Sequence, residues 1–63
     1  MSILEKLIEE RKLRKVKQKE MAKHLGITGW TLSHYEKGHR NMTLKMAEDY
    51  ADKLGLEIRL LIK

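Results

Sequence analysis

The chain has 63 residues, with 14 Lys or Arg against 9 Asp or Glu, three His and no Cys. A domain of this size buries only about 60% of the surface its unfolded chain exposes. With no disulfide and no His/Asp cluster at metal-ligand spacing, the staple left for so thin a core is a partner subunit. The longest apolar run is Leu60-Leu61-Ile62, and Met1-Ser2-Ile3-Leu4-Glu5 has acid where a signal peptide carries Lys or Arg. The expectation is a soluble cytoplasmic, nucleoid-associated protein with no membrane partner.

The charge is unevenly spread. Residues 1–10 sum to −2, residues 11–40 hold nine basic groups against Glu20 and Glu36 for a net of +7, and residues 41–63 cancel to zero. So basic a middle is the footprint of a polyanion partner. On charge alone, a solvated lysine-rich face remains open.

Ser2-Ile3-Leu4-Glu5 forms a capping box, and Leu4, Leu7, Ile8 and Arg11 recur at 3/4 spacing, which predicts a first helix over about Ile3 to Lys15. A second, about Gln18 to Leu25, puts Met21, Ala22 and Leu25 on one face and stops at Gly26 in a left-handed cap. Thr28 caps a third helix that ends before Gly38. Thr43 caps a fourth, with Leu44, Ala47, Tyr50, Ala51 and Leu54 inward and Gly55 closing it. The last eight residues alternate, with Leu56, Ile58, Leu60 and Ile62 on one face, which predicts a β-strand; a helical tail is the alternative. A lone strand needs ladder partners, and pairing with its own copy across a two-fold axis supplies them. The predicted fold is therefore all-α: a compact bundle of four short helices over residues 1–55, plus a dimerisation strand over 56–63.

The second and third helices are joined by Gly26-Ile27 in a helix-turn-helix arrangement. At 100° per residue, Trp30 lies about 170° from the face centred on Leu32 and Tyr35, so it points to solvent, with Gly29, Ser33 and His34 on the same outer arc. An exposed Trp on a basic-flanked helix marks an interaction site. Base reader, protein-interface anchor and core filler are its three possible roles. As a reader it packs on a thymine methyl and donates one N–H to a base edge, whereas Lys and Arg hold phosphates without reading sequence.

From about Leu7 to Leu56 the sequence resembles the lambda-repressor-like family, also called Cro/repressor-type or XRE-type helix-turn-helix proteins. The resemblance rests on Gln18, Ala22, Leu25-Gly26-Ile27, Thr28 and Tyr35-Glu36-x-Gly38, followed by Arg40-Asn41 and Leu44. It implies a dimer on a palindromic operator in double-stranded DNA, and transcriptional control, usually repression. It also implies base contacts from Gly29, Trp30 and His34, with Ser33 close enough to join them. Gln18, flanked by Lys17 and Lys19, is implied on phosphate and as a brace for the recognition helix; Thr28, His39, Arg40 and Asn41 are implied on the DNA backbone. Arg11 and Glu36 match a partly buried ion pair. Gly29, Glu10 and Met42 depart from the family, which favours a polar residue, an apolar residue and Pro at those positions.

An enzyme is the weakest alternative: His24, His34 and His39 have no Cys or acidic partners in a nucleophile or metal pattern, and no cofactor is expected. The stronger alternative is an antitoxin that binds a toxin protein and represses its own operon, since the family it resembles includes antitoxins with this helix-turn-helix and a C-terminal strand.

Overall fold

A computed structural model describes residues 3–59 of the chain. Four helices follow in order: α1 (Ile3–Leu13), α2 (Gln18–Leu25), α3 (Gly29–Glu36) and α4 (Leu44–Lys53). None is long and apolar enough to cross a membrane. The bundle is all-α over the described residues, with α2 against both α3 and α4 and α1 more lightly against α3 and α4.

The helical spacing of the apolar residues dictates the core. Leu7 of α1, Met21 and Ala22 of α2, Leu32 of α3, and Ala47, Tyr50 and Ala51 of α4 converge with Leu54, while Val16, Leu25, Ile27, Met42, Leu56 and Ile58 pack around them. Met21, Leu32 and Tyr50 are the largest side chains wholly out of water. Each is worth on the order of 1.5–3 kcal/mol of apolar transfer. Alanines on the inward faces let α2 and α4 come close, so few large groups fill the centre.

Capping fixes where helices begin. The Thr28 and Thr43 hydroxyls accept from the Thr31 and Met46 backbone N–H groups at 3.1 Å each. Ser2, the expected first cap, lies outside the described residues. Gly26 takes the left-handed conformation (φ 72°), from which the Ile27 N–H reaches back to the Ala22 carbonyl at 3.0 Å. That closure turns the chain sharply enough for α3 to pack across α2.

Three expectations are corrected. The first helix stops at Leu13, not Lys15, because Lys15 itself is left-handed (φ 57°) and lets the Val16 N–H bond the Arg11 carbonyl at 3.1 Å. That bond swings Val16 onto the core. Leu44 is 53% exposed, not inward: as the first residue of α4 it sits at the edge of the face formed by Ala47, Tyr50, Ala51 and Leu54. In the predicted C-terminal strand, residues 56–59 form no strand. Their alternation is nonetheless present, since Leu56 and Ile58 are half-buried against the core and Glu57 and Arg59 are exposed. Leu60 and Ile62 lie outside the described residues.

Candidate nucleic-acid interface

The site is built on α3, which is held at both ends and bare along its outer side. Its N-terminal end is fixed by Thr28. The Thr28 and Thr31 hydroxyls are also 2.9 Å apart, and one proton bridges them. Two hydroxyls carry two protons, so one proton of the pair remains for an outside acceptor.

The other end is fixed by charge. The Glu36 carboxylate accepts from Arg11 Nε at 3.0 Å and Nη2 at 2.9 Å, from Gln18 Nε2 at 2.9 Å and from the Tyr50 hydroxyl at 2.6 Å. Four donors fill the sites a carboxylate offers. Arg11 is shared too, its Nη1 donating to the Val16 carbonyl at 2.8 Å and its Nε lying 3.0 Å from the Tyr50 hydroxyl. The network thus joins α1, the α1–α2 turn, α2, α3 and α4. No buried side-chain polar atom among the described residues lacks a partner.

Burial by itself pushes the Glu36 carboxyl up, but the hydrogen bonds from Gln18, Tyr50 and Arg11 and the Arg11 charge outweigh it and hold the group below its ordinary value. Burial, then the hydrogen bond and charge of Glu36, push the Tyr50 phenol well up. Burial opposes the Arg11 charge, yet Glu36 raises its pKa on balance. The pair is therefore ionic and Tyr50 neutral across the physiological range. Glu10, a departure from the family pattern, is accommodated on α1 by hydrogen bonds from Arg14 and Lys6 that lower its pKa.

Between these anchors the outer face of α3 is open. Trp30 is 68% exposed, opposite the fully buried Leu32. His34 is half-buried instead of open because its ring packs on Trp30, with centroids 3.9 Å apart, and lies 5.4 Å from the ring of His39. Ser33 is half-buried, and Gly29 is exposed, with nothing beyond its chain neighbours and its own helix backbone within 4 Å of where a Cβ would sit. Tyr35 is half-buried, with the Arg40 guanidinium over its ring at 5.3 Å.

The expected phosphate contacts fall into two sets around this face. Lys17, Gln18 and Lys19 open α2, where Lys17 occupies the cap position but provides no side-chain hydrogen bond to the helix. His39, Arg40 and Asn41 are exposed in the turn after α3. Gln18 is already committed through its amide N–H to Glu36. His24 plays no part in the face; its Nε2 lies 3.1 Å from the Asp49 carbonyl, tying α2 to α4. Among the described residues no three His or acidic side chains gather where a metal would fit.

Sequence reasoning missed two partners. Helical period places Tyr50 in the core but is silent on its hydroxyl, and a phenol buried among apolar side chains must find an acceptor, which Glu36 supplies. Thr31, one turn into α3, was overlooked because its hydroxyl matters only through Thr28.

A capped helix pair with a bare, basic-flanked second helix defines the helix-turn-helix class of DNA-binding proteins. A family model described as Helix-turn-helix matches residues 7–61, and the chain belongs to that family, the XRE-like DNA-binding transcription regulators. No curated protein and no solved structure matches the chain.

Proposed function

We propose that the protein is a repressor that binds a palindromic operator as a homodimer, with α3 in the major groove and Gly29, Trp30, Ser33 and His34 at the base edges. The observation that carries this reading is the exposure of Trp30 on a helix whose opposite side carries the fully buried Leu32 and whose two ends are fixed. A large apolar group held out in water costs free energy unless something covers it. The absence of a side chain at Gly29 serves no contact within the protein, which fits a close approach of backbone to a base pair. Lys17, Lys19, Arg40 and Asn41 flank the face and supply phosphate contacts, and so do Gln18 and Thr28. The first N–H groups of α2, left without a side-chain cap, favour the same anion.

A second copy is supported by a groove of about 260 Å³ between α1 and residues 56–59, lined in part by Ile3, Leu7, Leu56 and Ile58. A second copy docked here across a two-fold axis closes this groove and sets two recognition helices about one DNA turn, ~34 Å, apart.

Selection of bound duplexes from a random pool tests the reading. The expected result is an inverted repeat with half-sites one helical turn apart. Failure to retain any duplex at low salt overturns it.

A further inference from the structure

We propose that His39 is a positioning residue of the reading face: its ring backs His34, which in turn carries Trp30, so that three rings act as one stack. This rests on the proposed docking of α3 in the groove, and it gives His39 a different task from holding a phosphate.

The backbone places the stack. After Glu36 the chain closes with the Gly38 N–H on the Tyr35 carbonyl at 3.1 Å and the His39 N–H on the His34 carbonyl at 3.0 Å, with Gly38 left-handed at φ 82°. This paired closure brings the second residue past the Lys37 cap back over the residue whose carbonyl it binds, and a side-chain contact between the two usually accompanies it. Here that contact is imidazole on imidazole, 5.4 Å between centroids and tilted by 52°. One turn earlier, Trp30 lies four residues before His34 on the same side of α3, and their rings approach to 3.9 Å. The order is thus Trp30, His34, His39, running from the start of the helix to the turn beyond it.

An exposed indole on a helix has several open rotamers, and ordering one of them on binding costs affinity. The stack removes that freedom before DNA arrives. His34 is braced from both sides, and the Trp30 edge that meets a base pair is preset. Losing the His39 ring frees His34 first and Trp30 through it, which blurs discrimination at the bases those two contact. A phosphate-binding His39 predicts something else: a uniform loss of affinity over all sequences and a shallower salt dependence.

The test compares His39→Ala, His39→Phe and His39→Lys in the full chain on duplexes enriched from the random pool, with circular-dichroism melts to verify folding. We expect His39→Ala to reduce discrimination at the positions that Trp30→Ala also alters, by roughly two- to tenfold, the worth of an aromatic pair. The slope of affinity against salt stays unchanged. His39→Phe retains the discrimination, and His39→Lys does not. Trp30 is the single Trp, so its emission in the free protein also reports the stack and shifts in His39→Ala. The inference is overturned if His39→Lys preserves binding while His39→Phe weakens it evenly and flattens the salt slope, or if His39→Ala leaves both preference and emission unchanged. Absence of any duplex binding by the unsubstituted chain instead overturns the docking of α3 itself, and the inference with it.

Discussion

The two sides of α3 invert the usual distribution of residue types. Its inner end buries an arginine, a carboxylate and a phenol in a closed set of hydrogen bonds, while its outer side holds the one tryptophan in water. In a core this small, a handful of large apolar side chains leaves the angle of a helix of eight residues loosely set, and directional bonds to Glu36 fix it. Buried ion pairs contribute little net stability but are expensive to break on one side. The lesson is a division of labour: ionic groups fix the recognition helix, and aromatic groups face the partner.

Substitutions on the two sides should separate these roles. Arg11→Ala strands the Glu36 charge and should cost about 3–5 kcal/mol. A chain of this length has on the order of 3–9 kcal/mol in total, so the variant should lose a third or more of its stability and melt far below the unsubstituted chain by circular dichroism. Retention of a wild-type melt would show that the pair does not anchor α3. Combining Arg11→Met and Glu36→Leu with Tyr50→Phe should recover much of the loss, because neither a charge nor the phenol hydroxyl is then left unpaired.

Tyr50→Phe removes the charge-assisted hydrogen bond to Glu36 together with the Arg11 Nε contact on the hydroxyl, and should cost about 1.5–3 kcal/mol in urea titration. It should also alter the alkaline limb of stability. The folded phenol titrates above its ordinary value of 10.0, so its contribution is complete below that pH and is lost as pH rises beyond it towards the folded value. Glu36 acts at the opposite end. Its folded pKa lies below the ordinary 4.5, so its contribution is present above that pH and is lost as pH falls through the lowered value. Melting temperature should therefore drop in acid, and the Glu36→Gln variant should show a flatter acid limb. An identical acid limb in that variant would assign the dependence elsewhere.

Lys15→Gly should stabilise the fold by about 1 kcal/mol, because a left-handed backbone suits glycine and costs other residues roughly that much. A lower melting temperature would show that the lysine side chain compensates for its backbone.

On the outer side, Trp30→Ala should shift stability by less than about 0.5 kcal/mol. The same change should alter the selected operator, and an unaltered binding profile would remove Trp30 from the contact set. Lys17→Ala should leave the fold intact and reduce the slope of log affinity against log salt by roughly one. A larger melting change at Trp30 than at Arg11 would reverse the comparison altogether.

Much of this was legible in the sequence because caps and glycines are local signals. Thr28, Thr43, Gly26 and Gly55 bound their helices as expected, and the phase of Leu32 predicted the exposure of Trp30. Lys15 escaped because nothing in its chemistry announces a left-handed backbone; the Val16 to Arg11 closure demands it. Leu44 was assigned inward by period alone, and period does not see that a first helical residue overhangs its neighbours. The Tyr50 bond joins positions 14 apart, beyond the reach of any short pattern, whereas the Arg11–Glu36 pair, 25 apart, was legible only through the family resemblance that implies it. The half-burial of His34 likewise depends on a turn that returns His39 to it.

The anchoring of α3 also bears on how such a protein diverges. Thr28 and Glu36 bracket the helix, and Gly29 and Trp30 between them make no packing contribution to the core. Substitutions there meet little resistance from folding. A lineage built on this scaffold is free to acquire new target sequences one residue at a time, with the architecture under it unaltered.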